Sequence, residues 1–375
     1  MNATLSRRAV IGATPALLAG VALGSLPRAA SAQLPPSRSA ASGAIRLAGN
    51  ENPYGPGPAA RAAIEAAVGD SWKYPIIEEM AFKAQIAARE GVTPQHVLIG
   101  DGSSEILHIA ALLAGSGGGE LVTATPTFSL VADHVRAIGG SVREVPLDAE
   151  MRHDLVAMRA AVSPATKLVY VCNPNNPTGT MVSGSELREF LATLPPATTA
   201  LVDEAYLELA SDMGRHSMVD RVRAGDNLIV ARTFSKLHGL AGLRIGYALA
   251  RPDLIERTAK LKLVAVSSLG LAAASASYTD QGFQAASREH LAAGVAITTA
   301  VLDELKRPYA QTRANFVFFD TGQPAAAFLA AMRERGFALG RPFPQYPSWC
   351  RVSMGTVEQM RLFADALRAA FVHNG

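Results

Sequence analysis

The chain has 375 residues, 49% hydrophobic and 18% charged, which places it among globular proteins with room for about two domains or one large one. Those proportions exclude disorder, collagen and coiled coil. The net charge is +3, and the 35 lysines and arginines are spread along the chain rather than gathered in patches, so a nucleic-acid footprint is not indicated while acidic small molecules stay open as partners.

Residues 1–32 differ in kind from the rest. Ser6-Arg7-Arg8 precedes an uncharged Ala/Leu/Val/Gly-rich stretch over 9–26, and Ala30-Ser31-Ala32 supplies small residues for cleavage after Ala32. The segment reads as a secretory signal peptide. The paired arginines resemble a twin-arginine signal, so the expected destination is outside the cytoplasm, in the periplasm. The alternative is an uncleaved anchor, but the run is barely long enough to span and is broken by Gly12, Pro15, Gly20 and Gly24. No later stretch reaches eighteen uninterrupted apolar residues, so no stable membrane insertion is expected after cleavage. Residues 33–44 read as a Pro/Ser/Ala linker.

From residue 45 onward, short apolar runs alternate with amphipathic ones, which predicts an α/β protein built of βα units around a mostly parallel seven-stranded sheet. The predicted strands are 96–99, 120–124, 141–145, 167–171, 199–202, 228–232 and 245–249. The predicted helices between them are 103–114, 128–138, 184–193 and 252–263. After about 282 the pattern changes: a long Ala-rich helix (283–306), a strand (315–319), a helix (324–335), a short strand around 350–353 and a closing helix (356–371) predict a smaller α+β domain. The expected organisation is an arm over 45–74 that joins the small domain, a large domain over 75–282 and a small one over 283–375. The glycines at 115 and 117–119 follow a helix and precede a strand, which predicts a turn rather than a dinucleotide-binding fingerprint. Cys172 and Cys350 fall in different domains and show no metal-ligand spacing, so two free thiols and no zinc site are expected.

Chemistry concentrates at the predicted strand ends. Lys236 follows a strand within Thr233-Phe234-Ser235-Lys236, and Arg244 follows eight residues later behind a Gly-rich turn. Hydroxyls, glycines and a guanidinium around an amine suit an amine nucleophile beside an anion cup, although a surface lysine in a turn would look similar alone. Asp203 ends a hydrophobic strand and Tyr206 follows it. A carboxylate there is costly unless a cation faces it, and the plainer alternative is a capping role. The turn-forming run 172–179 leaves another strand, and Gly100-Asp101-Gly102-Ser103-Ser104 leaves a strand and opens a helix, where free amides suit a phosphate.

Taken in order, these motifs resemble the pyridoxal-phosphate aminotransferases of class I/II, fold type I, and within them the histidinol-phosphate aminotransferase-like branch, whose N-terminal Asn-Glu-Asn-Pro-Tyr-Gly-Pro segment is similar to 50–56 here. The resemblance covers 45–371 and implies a pyridoxal 5′-phosphate cofactor. It implies that Lys236 is the Schiff-base lysine and proton carrier, that Asp203 keeps the pyridine nitrogen protonated, and that Asn176 and Tyr206 bond the phenolic oxygen. Phe128 would stack on the ring. Gly102, Ser103, Ser235 and Arg244, with Thr233 beside them, would form the phosphate cup, completed by Tyr74 from a partner subunit, which makes a homodimer part of the site. Arg351 would clamp the substrate carboxylate, with Arg341, Asn52 and Tyr54 also on the substrate side. Leu237-His238 departs from the usual Ala-Phe of the branch, and His238 is read as a packing residue beside the site.

The resemblance therefore implies an aminotransferase that exchanges an amino group between an L-amino acid, or a histidinol-phosphate-like amine, and a 2-oxo acid. Histidine biosynthesis is cytoplasmic, so an exported copy speaks against a housekeeping role in it. A decarboxylase or other lyase of the same fold and a non-catalytic exported binding protein stay open as alternatives. No metal is expected.

Overall fold

Val169 and Val171 face one side of the central sheet and Leu168, Tyr170 and Cys172 the other, and both sides are buried. A strand covered on both faces must be apolar throughout, which is why this stretch shows an unbroken apolar run instead of alternation. The structure is a computed structural model and describes residues 43–210 and 212–372. The expected signal peptide over 1–32 and the expected linker as far as residue 42 lie outside the described residues.

The strands are β1 (Ile45–Leu47), β2 (Val97–Asp101), β3 (Glu120–Thr125), β4 (Ser141–Pro146), β5 (Thr166–Cys172), β6 (Thr199–Asp203), β7 (Leu228–Thr233), β8 (Ile245–Ala250), β9 (Phe316–Asp320), β10 (Phe337–Leu339) and β11 (Trp349–Ser353). Seven of them form one sheet in the order β2-β8-β7-β6-β5-β3-β4, in which β8 alone runs against its neighbours. Helices Gly102–Gly115, Leu130–Ala137 and Pro252–Ala259 cover one face through Ile106, Val131 and Leu254. Helices Ile76–Glu90, Gly184–Ala192 and Ser268–Thr279 cover the other through Phe82, Leu187 and Leu271.

A third core gathers Leu47 with Leu291, Phe319, Phe328, Val352 and Phe363. There β1 pairs in parallel with β10, Ile45 beside Phe337 and Leu47 beside Leu339, so the first described strand is held by the C-terminal part of the chain. β9 and β11 pair antiparallel, with Arg351 opposite Phe318. The helix Gln281–Glu304 and the closing helix Val357–Val372 pack on this core.

Several elements differ from expectation. The predicted helix 128–138 begins only at Leu130, because Thr127 is held by its hydroxyl on Asn175 Oδ1 at 2.7 Å and Phe128 is turned into a cavity. The predicted helix 252–263 ends at Ala259. Pro58–Ala67, Ile76–Glu90, Leu155–Ala161 and Ser268–Thr279 are helices that the pattern did not single out, and β1 and β10 are too short for one. The glycine run does turn a helix into a strand: the helix ends at Gly115, Gly117 and Gly118 take φ of 76° and 79°, and β3 starts at Glu120. Cys172 and Cys350 are buried free thiols, and burial pushes that of Cys350 up to about 12. Among the described residues no helix is long and apolar enough to cross a membrane.

Candidate active site

The parallel strands β3, β5, β6 and β7 end on one edge of the sheet, and the residues that follow them converge there, where open α/β sheets bind ligands. Asp203 is the last residue of β6, Thr233 the last of β7, and Ser235 and Lys236 come next. Together with Ser103, Phe128, Asn176, Tyr206, Arg244, Arg341 and Arg351 they line one cavity of about 410 Å³. Eleven of the residues singled out from sequence thus meet at one place, although they span almost 250 positions.

One end of this cavity is built for a dianion. Gly102 opens the helix Gly102–Gly115, whose first amides have no carbonyl of their own helix to bond. Its φ is +71°, and a Cβ there would lie 2.2 Å from Nη2 of Arg244, so only glycine lets the guanidinium close over the helix start. Arg244 is itself left-handed, at φ 55°, and its Nη2 donates to the Asp101 carbonyl at 3.2 Å while Nη1 donates to that of Ala241 at 2.9 Å. The Thr233 hydroxyl donates to Ser235 Oγ at 2.9 Å, which places two more hydroxyls on the same wall. Amides, hydroxyls and a fixed guanidinium are what a phosphate monoester takes.

The floor suits a protonated aromatic nitrogen. Asp203 is 2% exposed; the Tyr170 hydroxyl donates to its Oδ2 at 3.1 Å and the Ala205 amide to its Oδ1 at 3.1 Å. Burial pushes its carboxyl up to about 6, against the two hydrogen bonds and the Lys236 charge, so a cation placed against it would restore the carboxylate. Lys236 is drawn down to about 8 by burial and by the Arg351 charge, which brings the neutral amine within reach near neutral pH. Its Nζ donates to the Gly49 carbonyl at 3.4 Å and lies 5.4 Å from the centre of the Tyr206 ring. The Tyr206 hydroxyl accepts from Asn50 Nδ2 at 2.9 Å and from Asn176 Nδ2 at 3.4 Å, and burial pushes its pKa up, so it stays a neutral donor.

The opposite end is cationic. Arg351 reaches from β11, donating from Nη1 to Asn176 Oδ1 and from Nη2 to the Ala48 carbonyl at 3.0 Å, while its Nε is buried and has no hydrogen-bond partner. Arg341 flanks it, and both guanidinium groups lie near the Phe343 ring, at 5.3 Å for Arg341 and 5.8 Å for Arg351. Among the described residues no group of three or more His, Cys, Asp or Glu side chains could hold a metal ion.

Four residues named from sequence lie off the cavity wall. Asn52 and Tyr54, expected on the substrate side, are absent from the cavity wall. Asn52 Nδ2 donates to the Leu237 carbonyl at 2.7 Å and to Ser287 Oγ at 3.0 Å, and the Tyr54 hydroxyl accepts from the Val357 amide at 2.8 Å while its ring stacks on His290 at 4.5 Å. The reason is Asn50, whose left-handed φ of 53° turns the chain so that Gly49, Asn50 and Glu51 face the cavity and the next residues face the core. Tyr74 is 84% exposed and outside the cavity of its own chain. His238 is fully buried off the cavity, packed on Phe234 at 4.6 Å and with Nδ1 2.8 Å from Ser277 Oγ.

Sequence reasoning missed Tyr170, Ser104 and Thr127 as site residues, and reached Asn50 and Glu51 only within a wider segment. Thr127 and Ser104 stood inside motifs already noted, and Asn50 inside the segment 50–56. Tyr170 sits in an apolar strand, where nothing separates it from a core residue except its hydroxyl.

The family model described as aminotransferase class I and II matches residues 42–367. The histidinol-phosphate aminotransferase of Moorella thermoacetica is 38% identical over 328 residues, covering 86% of this chain and 84% of that one. The crystal structure of the histidinol-phosphate aminotransferase of Sinorhizobium meliloti in complex with pyridoxal-5′-phosphate superposes with a TM-score of 0.82 at 30% identity, over 88% of this chain and 92% of that one. The L-threonine-O-3-phosphate decarboxylase of Porphyromonas gingivalis shares the fold, with a TM-score of 0.75 at 21% identity over 88% of this chain and 99% of that one.

Proposed function

This chain belongs to the class I and II aminotransferase family, and we propose that it moves an amino group from a donor bearing an anionic group, an L-amino acid or a histidinol-phosphate-like amine, to a 2-oxo acid. It is a fold type I, pyridoxal 5′-phosphate-dependent aminotransferase of the histidinol-phosphate aminotransferase-like branch. When bound, the cofactor supplies an electron sink for the bonds at the substrate α-carbon. Gly102, Ser103, Thr233, Ser235 and Arg244 would hold its phosphate. Asp203, backed by Tyr170, would serve its ring nitrogen, Asn176 and Tyr206 its phenolic oxygen, and Phe128 would cover the ring. Lys236 would hold the cofactor through Nζ, and its amine, drawn down to about 8, would move the proton at the substrate α-carbon.

The observation that carries the substrate class is the buried Arg351 Nε with no partner, on a guanidinium already fixed by Asn176 and Ala48 and beside Arg341. A fixed guanidinium with a free N–H selects an anion, and a second one nearby widens that to a phosphate or a dicarboxylate. Substituting Arg351→Lys and Arg351→Ala and measuring donor KM tests it. Charge-assisted bonds of this kind contribute about 1.5–3 kcal/mol, so the alanine variant raises KM for anionic donors about 10- to 100-fold, with lysine in between. An unchanged KM in both contradicts the assignment.

The chain acts as a homodimer in this reading. Trp72, Tyr74, Ile76, Ile77 and Met80 are exposed in one short stretch, with Leu263 and Val264 exposed as well, and a monomer rarely leaves such an apolar patch to water. Tyr74 then serves the phosphate cup of the partner. Sedimentation of Ile77→Glu beside wild type tests it, a monomer with weakened cofactor binding being the expected result.

The paired arginines and the 9–26 apolar run support export through the twin-arginine route into the periplasm, in a fold divided into a 45–74 arm, a 75–282 large domain and a 283–375 small one. Mass spectrometry of the exported protein is expected to find Gln33 at its N-terminus. A full-length chain retained in the cytoplasm would contradict this.

A further inference from the structure

His238 lies two residues beyond Lys236, and Glu208 two residues beyond Tyr206. Both are buried and neither lines the cavity. We propose that Glu208 and His238 are a pair of positioning residues that lock the turn carrying Lys236 onto the turn carrying Tyr206 and so fix where the Lys236 amine stands.

The geometry is a clamp behind the cavity wall. Glu208 sits in the single turn Leu207–Leu209 that follows Tyr206, and its Oε1 is 3.5 Å from His238 Nε2, a close approach without a hydrogen bond, with side-chain exposures of 6% and 1%. The other ring nitrogen, Nδ1, is 2.8 Å from Ser277 Oγ on the helix Ser268–Thr279, and the ring packs on Phe234. Helix, strand end and turn therefore hold one imidazole. Each turn is also anchored separately. Arg288 Nε donates to the Glu208 carbonyl at 2.7 Å, and Asn52 Nδ2 donates to the Leu237 carbonyl at 2.7 Å. Gly239 lies so close to Gly55 that a Cβ on Gly55 would be 2.5 Å from its Cα. The close approach of Glu208 to His238 joins these two anchored pieces.

The electrostatics agree with a carboxylate at Glu208. Burial alone would raise the Glu208 carboxyl, yet the His238, Arg232 and Arg89 charges outweigh it and hold it down at about 2, so a carboxylate persists in the core. Arg232 does not replace His238 as its partner, since its guanidinium already serves Glu204 at 2.9 Å and Glu90 at 2.7 Å. Tyr247 and Tyr278 complete the surroundings. A phenylalanine at position 238 would keep the ring packing on Phe234 and lose both nitrogen contacts.

The reading rests on Lys236 holding the cofactor, and the test has one arm that does not. In the cofactor-free full chain, the pH midpoint of Lys236 reaction with an amine-directed reagent is read by peptide mass spectrometry for wild type, His238→Phe, Glu208→Gln and the double variant. In the loaded enzyme, kcat and donor KM are read for the same four. The groups facing Lys236 itself, Arg351, Glu51, Asp203 and Arg244, are unaltered in all of them. The wild-type midpoint is expected near 8, and each single variant is expected to move it upward toward that of a free lysine as the turn loosens and admits water. With it, kcat falls about tenfold at nearly constant KM, because a misplacement on the order of an ångström is costly in rate. The double variant is no worse than either single one, since both remove the same link. His238→Gln, which returns a donor toward Glu208, recovers part of the loss. The proposal is overturned if either folded single variant keeps the wild-type midpoint and kcat, or if the two losses multiply in the double variant. Wild type with a lysine midpoint near 8 but no aminotransferase activity would sink the functional reading and leave the clamp to stand or fall on the midpoints alone.

Discussion

The side-chain amide of Asn50 donates to the Tyr206 hydroxyl at 2.9 Å, joining residues 156 positions apart and tying the start of the chain to the end of the central sheet. Asn50 is held in place from the C-terminal side as well: its amide donates to Ser353 Oγ at 2.8 Å, that hydroxyl donates to Asn50 Oδ1 at 2.8 Å, and Asn315 Nδ2 donates to its carbonyl at 3.1 Å. Its left-handed backbone favours Asn or Gly. Asn50→Gly therefore keeps the backbone and removes the amide, whereas Asn50→Ala loses both. Thermal melts are expected to rank wild type above Gly above Ala, and kcat/KM of both variants is expected to drop about tenfold, the worth of a buried hydrogen bond. Full activity in Asn50→Gly would show that the Tyr206 contact is dispensable.

Asp203 predicts a pH effect of defined sign. Its carboxyl is raised from 3.8 to about 6 by burial, so the folded cofactor-free protein binds this proton more tightly than the unfolded chain does. The stability that results is fully present below about pH 4 and is lost as pH rises through about 6. The swing is about 3 kcal/mol at most. Melting temperatures of wild type and Asp203→Asn, both without cofactor, should separate over this window, with wild type losing ground as pH rises. A gap that is constant or that runs the other way contradicts the assignment. Cofactor binding should improve over the same window, as the carboxylate becomes available to the ring nitrogen.

Gly102→Ala is expected to act on the phosphate cup alone. The substitution strains a backbone at φ +71° and drives a methyl into the Arg244 guanidinium. Absorbance titration with pyridoxal 5′-phosphate should show affinity weakened at least tenfold in a chain that still folds. Unchanged affinity would mean that Arg244 does not close over the helix start.

How much of this was legible in the sequence follows from what a pattern can carry. Lys236, Asp203 and Arg244 were legible because each stands at a strand end or in a motif whose composition departs from its surroundings, whereas Asn176 and Arg351 were legible only through the family resemblance of their motifs. The segment 50–56 was legible as a motif but not in its facing: the left-handed turn at Asn50 moves Asn50 and Glu51 into the cavity and Asn52 and Tyr54 out of it, and backbone handedness at an asparagine leaves no trace in composition. Helix Ser268–Thr279 is buried on most sides, so it lacks the polar face that marks a helix in sequence. The pairing of β1 with β10 joins two three-residue strands from opposite ends of the chain, and neither is long enough to show a period.

The corrected roles of Asn52 and Tyr54 can be checked directly. Tyr54→Phe removes the acceptor for the Val357 amide at the start of the last helix and is expected to lower stability by about 1 kcal/mol while leaving donor KM unchanged. A rise in KM without a change in melting temperature would return Tyr54 to the substrate side.

The most direct test of the central claim is the visible absorption of the pyridoxal-phosphate-loaded chain from residue 33, recorded beside Lys236→Ala while anionic amino acids, histidinol phosphate and 2-oxo acids are added in turn. The expected result is a Lys236-dependent band that an anionic donor discharges and a 2-oxo acid restores, with the donor recovered as its oxo product. Release of carbon dioxide and an amine without any need for an oxo acid, or a band that is the same in Lys236→Ala, would contradict it.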